Sequence, residues 1–280
     1  MISNDDISPY LSVGNPEKLV KFYNNNVAKR LPLLYANDNL VIMTYNVHGW
    51  ININKNISIN DNYLHIMALI ASIDADIIVL QEVCFEQINY LIFLADINKT
   101  GYDHIRNASN GNCFHDKNMN DYIVVISKYP INNSKIINTR IISNKKFPER
   151  GLLIINIGSL TIAAVHLEIG KRYHNLLLND PNRQLIIDEN AANRIGQLEK
   201  MLEYNPDIIV GDFNFTPTDT EAKWLKKRCY AYMGKVHKQT TPYNCTDMLF
   251  LNSLTLNTKC TEKILSINLS DHLPVLYTIY

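Results

Sequence analysis

The sequence predicts an α/β fold: a four-layer sandwich in which two mixed or antiparallel β-sheets pack face to face and are flanked by helices. Three observations predict it. Short apolar runs alternate with helical periodicity near both ends of the chain. The middle of the chain reads as strand after strand with short turns between. With 280 residues, 46% of them hydrophobic, there is ample apolar material for one large core.

Taken in order, residues 1–38 precede the first convincing strand and read as an N-terminal extension, with Pro16 to Tyr23 a short helix carrying Pro in its first turn. Residues 39–280 read as one domain. Leu40 to Asn46 (LVIMTYN) and Ala75 to Glu82 (ADIIVLQE) are β-rich. Between them Ile66, Leu69, Ile70 and Ile73 recur at helical spacing behind Asp61, which reads as the N-cap. Asp121 to Lys128, Lys135 to Ile142, Gly151 to Ile157 and Ser159 to Leu167 follow one another as in an antiparallel meander. A helix starting near Asp188, with Ala191, Ile195, Leu198 and Leu202 on one face, leads into the strand Asp207 to Asn214. After a helix behind Asp219, which ends in the basic run Lys226 to Arg228, Asp247 to Leu251 and Pro274 to Tyr280 close the chain as two more strands.

Bulk properties narrow the function classes. Lys+Arg and Asp+Glu are both 27, so a neutral total offers no broad electrostatic footprint for nucleic acid, although an acidic site and a basic face would cancel in the sum. No apolar run approaches the roughly 20 residues that span a bilayer. The start lacks the basic-then-apolar order of a secretory signal. The expectation is an intracellular protein, cytoplasmic or nuclear, with no integral membrane contact and a monomer by default. Cys84, Cys113, Cys229, Cys245 and Cys260 are widely spaced and form no zinc pattern, as expected of reduced thiols.

The strands share one peculiarity: most end in, or lie next to, a residue able to bind a metal or a phosphate. Asn46 ends the first, Glu82 the second, and His166 lies near the end of the fourth strand of the meander. Asp212 and Asn214 end the next, and Asp271 and His272 immediately precede the last. Singly, each has an ordinary explanation as a turn former or a hydrogen-bonded core residue. Together they share the strand ends, where sandwich loops cluster to build sites. Carboxylates and amide oxygens without cysteine are hard donors that suit Mg²⁺ or Mn²⁺. Carboxylates, amides and imidazoles can together activate a water, neutralise a phosphate and protonate a leaving group.

The blocks Thr44-Tyr45-Asn46-Val47-His48-Gly49, Leu80-Gln81-Glu82-Val83, Val165-His166-Leu167, Gly211-Asp212-Phe213-Asn214, Thr246-Asp247-Met248 and Ser270-Asp271-His272-Leu273-Pro274 resemble the ordered signature of the endonuclease/exonuclease/phosphatase superfamily. The resemblance covers roughly residues 39–280 and implies a DNase I-like catalytic domain dependent on Mg²⁺ or Mn²⁺. It implies Glu82 as main metal ligand with Asn46 and Asp271 beside the same ion, and Asp212 positioning or deprotonating the attacking water. Asn214 would orient that machinery. His272 would be general base or phosphate partner, its ring held by Asp247, and His166 would donate to the phosphate or assist the leaving group.

His166 is similar to the DNase I, sphingomyelinase, inositol-polyphosphate 5-phosphatase and tyrosyl-DNA phosphodiesterase branches. The block Arg150-Gly151-Leu152-Leu153 looks like the tyrosyl-DNA phosphodiesterase 2 and metal-dependent hydrolase group, where Arg150 would neutralise phosphate; a surface charge opening a strand is the equal alternative. Lys171 and Arg172, in the loop after His166, read either as substrate contacts tracking phosphate or as a solvated loop. One departure is that Cys245-Thr246 precede Asp247 where the pattern usually has an Arg-hydrophobe pair. The expected substrate is nucleic acid, DNA more than RNA. The competing readings are a sphingomyelinase-like lipid or small-molecule phosphodiesterase and a catalytically dead scaffold, the last opposed by the intact acidic and histidine set.

Overall fold

The computed structural model describes residues 39–52, 57–112, 120–138, 151–168, 183–235, 239–241, 244–253 and 258–280. The helix expected at Pro16 to Tyr23 and the residues Arg150, Lys171 and Arg172 lie outside these. The described residues form two six-stranded sheets. The first runs in the order β11 (Cys260–Ile264), β12 (Val275–Ile279), β1 (Leu40–Asn46), β2 (Ile77–Val83), β4 (Asn120–Ser127), β3 (His104–Asn112). The second runs β5 (Ile131–Asn138), β6 (Gly151–Ile157), β7 (Leu160–His166), β8 (Ile208–Asp212), β10 (Asp247–Asn252), β9 (Tyr230–Tyr232).

The sheets are topological copies of each other. β1 is parallel to β2 and joined to it through helix α1 (Ile59–Ser72); β7 is parallel to β8 and joined to it through α3 (Arg183–Leu202). In each half the next strand but one turns back antiparallel, β4 on β2 and β10 on β8. Helices α2 (Tyr90–Lys99) and α4 (Thr220–Lys226) fill corresponding places in the two connections. The inward faces, with Ile42, Val79, Ile123 and Val125 on one side and Ile155, Ala164, Val210 and Leu249 on the other, make one shared core. Outer cores bind each sheet to its helices: Ile66, Ile70 and Phe93 with Ile78 and Leu80, and Leu198, Met201 and Leu225 with Ile209 and Phe250. Four layers result, as the periodicity predicts.

Several elements differ from the sequence reading. The meander is divided: β4 belongs to the first sheet, and only β5, β6 and β7 are consecutive neighbours in the second. A period of two identifies a strand but not its partner, and Tyr129-Pro130 is where the chain changes sheet. β5 starts at Ile131, ahead of the expected Lys135. Strands β3, β9 and β11, absent from the sequence reading, are all edges, as is β5. An edge strand buries little, so its sequence stays polar and the alternation fades. Helix α2 was also missed; its buried residues are Phe93 and Ile97, behind an Asn89 cap.

The cap of α1 is Ser58 rather than Asp61. The Ser58 hydroxyl accepts from the Asp61 backbone N–H at 3.1 Å and donates to the Asp61 carboxylate at 2.7 Å. Ser58→Ala is expected to cost about 1 kcal/mol, read as a lower urea midpoint with unchanged slope; an unmoved midpoint would show that the cap contributes nothing. Helix α3 begins at Arg183, earlier than Asp188. Among its described side chains Asn190, Arg194, Gln197, Leu198 and Met201 are buried, whereas Ala191, Ile195 and Leu202 are only half-buried. Polar side chains can face inward there because they have partners. Arg194 is paired with buried Glu221 at 2.6 Å, and Gln197 accepts from the Glu168 backbone N–H at 3.0 Å. These contacts hold the chain immediately after His166.

Candidate active site

The C-terminal ends of the two parallel pairs meet at one rim. The register pairs Asn46 with Gln81 in the first sheet and His166 with Asp212 in the second. Glu82 follows Gln81 with φ 54°, and Asn214 lies two residues after Asp212 with φ 52°. Left-handed backbone at two non-glycine residues, one near the end of each parallel pair, costs on the order of 1–3 kcal/mol each and clusters at functional sites. Here it turns the Glu82 side chain to the seam.

Asn46 sits at the junction. Its amide nitrogen donates to Glu82 Oε1 at 3.1 Å and to Asp212 Oδ2 at 3.2 Å, tying one sheet to the other. Its oxygen accepts the backbone N–H of His48 at 3.0 Å, so only its second lone pair would face a cation. The buried His166 ring places Nε2 at 3.6 Å from Glu82 Oε1 and 3.7 Å from Asp212 Oδ2. His272 Nδ1 is 2.8 Å from Asp247 Oδ2, and its Nε2 is 3.9 Å from Asp212 Oδ2. Asn214 donates its backbone N–H to Asp212 Oδ1 at 2.9 Å and its side-chain amide to the Leu167 carbonyl at 2.9 Å. Glu82, His166, Asp212, Asn214, Asp247, His272 and Asn46 are thus brought together.

Asp271 lies at the more exposed side of the same rim, its Oδ1 3.1 Å from His48 Nδ1. Ser270 fixes this corner: its hydroxyl donates to the Asn46 carbonyl at 2.7 Å and accepts the His272 N–H at 3.2 Å.

Sequence reasoning missed three contributors. Asp121, at the start of β4, places Oδ2 3.8 Å from His166 Nδ1, matching Asp247 at the start of β10 beside His272. Thr240 accepts the N–H groups of Thr246 and Asp247 on its hydroxyl, and its carbonyl accepts Leu273 N–H, so it binds the two segments carrying the His272–Asp247 pair. His48, quoted in a motif without a role, stands at the carboxylates. The signal for Asp121 was its place one residue inside a strand, but an acidic residue opening a strand is too common to single out.

Burial pushes the Asp212 carboxyl up to about 7; His272 opposes the rise, Asp247 adds to it, the Asn214 N–H opposes it, and Glu82 adds to it. Burial alone would lower His272, but the charge and hydrogen bond of Asp247 outweigh it, with Asp212 and Asp271 in support, and hold the imidazole well above its usual range. The His272–Asp247 contribution to stability is therefore complete below about 6.5, the ordinary histidine value, and is lost as pH rises through the folded value. In metal-stripped protein, Asp247→Asn should leave burial dominant, so the His272 pKa measured by NMR should fall below that of the wild type. An unchanged titration would show that Asp247 does not set it.

The donors fit a hard divalent cation. Asp212, Asp247 and His272 offer ligand atoms within 4.8 Å of one another. Yet Asp247 Oδ2 is taken up by His272, and Asp212 by Asn46 and Asn214. Mg²⁺ keeps several waters, which favours the wetter corner: the Asp271 side chain is 38% exposed and Glu82 14%, against 2% for Asp212.

A two-sheet α/β sandwich whose seam gathers carboxylates, amides and paired imidazoles at one rim defines a class of phosphoester-processing proteins. The chain belongs to the Endonuclease/Exonuclease/phosphatase family, whose model matches residues 43–272. Solved structures agree in fold. The endonuclease/exonuclease/phosphatase from Beutenbergia cavernae is similar at 16% identity and TM-score 0.67, over 86% of this chain and 71% of that one. The human Nocturnin catalytic domain, solved with bound sulfate, is similar at 15% identity and TM-score 0.62, over 86% and 94%. A D. rerio TDP2 humanized by 14 mutations is similar at 15% identity and TM-score 0.57, over 86% and 99%. No curated protein matches the chain in sequence. Among the described residues no helix is long and apolar enough to cross a membrane.

Proposed function

We propose that the protein is a divalent-metal-dependent phosphodiesterase acting on nucleic acid, as an endonuclease or as an end-processing enzyme of the 5′-tyrosyl-DNA phosphodiesterase type. The observation that carries this reading is the seam itself. Asp212 lies within 4 Å of both His166 and His272, and the latter is backed by Asp247. Glu82, Asp271 and Asn46 would hold Mg²⁺ or Mn²⁺, which when bound would supply charge neutralisation at the phosphate.

Asp212, whose carboxyl titrates near neutrality, is suited to take the proton of the attacking water. His272, kept protonated on the Asp247 side, presents Nε2 to the reacting phosphate. His166, deep in the seam, would hydrogen-bond a non-bridging oxygen or the leaving oxygen. Asn214 would keep Asp212 in register. Arg150, Lys171 and Arg172 would contribute positive charge along the substrate. Residues 39–280 would form the catalytic domain, acting as an intracellular monomer.

A second reading, a lipid phosphodiesterase, is favoured by one observation: Leu64 on α1 and Leu91 and Ile92 on α2 are all more than half exposed. One panel tests both. Plasmid DNA, single-stranded DNA, RNA, a 5′-tyrosyl oligonucleotide and sphingomyelin vesicles would be incubated with and without Mg²⁺. Metal-dependent cleavage of a nucleic acid is expected, turnover of sphingomyelin alone would establish the second reading, and no turnover of any substrate would refute both.

A further inference from the structure

We propose that His48 is a nitrogen ligand of the cation held at this rim, making the site discriminate in favour of transition-series divalent ions over Mg²⁺. The inference rests on the metal-dependent reading above and goes beyond its set of ligands. His48 Nδ1 lies 3.1 Å from Asp271 Oδ1 and 3.7 Å from Glu82 Oε2, between the two wetter carboxylates. Two ligands bound at right angles, each about 2.1 Å from an ion, are about 3 Å apart. Nδ1 and the Asp271 oxygen already stand at the separation of neighbouring ligands of one ion.

The backbone is built to hold the ring there. His48, Gly49 and Trp50 form a turn with φ of 51°, 60° and 65°, left-handed at all three positions. For a histidine and a tryptophan that conformation is strained, and it persists only where the surroundings impose it. They do so at both ends. The His48 N–H is bonded to the Asn46 side chain, and the buried Trp50 indole donates to the Cys84 carbonyl at 3.0 Å, two residues past Glu82. Trp50 is further wedged edge-on against Tyr63, with ring centroids 5.2 Å apart. The strained turn is thus clamped to the ends of β1 and β2 and presents His48 to the carboxylates.

Chemistry then sets the consequence. An all-oxygen site suits Mg²⁺, whereas an imidazole raises affinity for later divalent ions of the first transition row. The test uses the full chain, stripped of metal, as wild type, His48→Ala and His48→Asn, the last keeping a polar side chain in the turn. Calorimetry with Co²⁺ and with Mg²⁺ should show Co²⁺ affinity falling about tenfold or more in both variants, with Mg²⁺ affinity nearly unchanged. Pulsed EPR of the Mn²⁺-loaded protein should show nitrogen coupling in the wild type that weakens or vanishes in the variants. If the wild type binds these ions and cleaves its substrate but both variants keep the same coupling and the same Co²⁺-to-Mg²⁺ ratio, His48 is only a hydrogen-bonding neighbour and this inference alone falls. If the wild type binds no divalent ion, the metal-dependent reading falls with it.

Discussion

Asp212→Asn should lower phosphodiester turnover about a thousandfold, the order expected on loss of a general base, while leaving the protein folded. The substitution preserves shape and keeps an acceptor for the Asn214 N–H that Asp212 Oδ1 now receives. What it removes is the negative charge that faces Nε2 of both His166 and His272 at under 4 Å. The sign of the stability change separates this from damage. A carboxyl whose folded pKa is raised by burial makes the native state less stable as pH rises from the ordinary value of 3.8 toward about 7. An amide carries no such penalty. Set against this relief is the loss of the Asn46 bond to Oδ2, worth about 1 kcal/mol, so the variant should melt close to the wild-type temperature at pH 7. Turnover close to wild type, or a large fall in melting temperature accompanying the loss of turnover, would remove Asp212 from the role assigned to it.

The second large effect is structural. Gly211 adopts φ +145°, and a Cβ placed there would lie 1.9 Å from the Val165 carbonyl oxygen and 2.9 Å from its carbon. The obstacle is backbone, so no rotamer relieves it. Val165 and Gly211 are register partners in the parallel pair β7–β8. Relief requires those strands to separate, and they carry His166 and Asp212 at their ends. Gly211→Ala should cost about 3 kcal/mol, at the upper end of core overpacking, or roughly 10 °C in melting temperature for a chain of this size. Turnover should fall as well, because the gap between His166 and Asp212 opens. A melting curve superimposable on the wild type would mean that the strands do not approach this closely.

What was legible in the sequence follows from burial. The central strands β1, β2, β6, β7, β8 and β10 are covered on both faces, so their apolar runs stand out and their polar ends attract notice. The edges β3 and β11 of one sheet and β9 and β5 of the other were missed or displaced, because a segment such as His104 to Asn112 has little to bury. The site was legible where a residue lies at or next to the end of a central strand, as Asn46, Glu82, His166 and Asp212 do. Asp121 and Thr240 were not, since their importance comes from what lies across the seam rather than from their neighbours in the chain. The inward face of α3 misled for a related reason: the apolar set from Ala191 to Leu202 stands out in the sequence, whereas buried Arg194 and Gln197 make sense only once Glu221 and Glu168 are placed against them.

The repeated architecture carries a consequence for how the molecule comes into being. Each half contributes its own members to the rim: Asn46, Glu82 and Asp121 from one, His166, Asp212 and Asp247 from the other. Neither half presents more than part of the reactive group, and each has a greasy inner surface that only the other can cover. A nascent or half-melted chain would therefore lack the assembled rim. The rim is completed only by the docking that completes the fold, so its assembly and the closure of the core are one event.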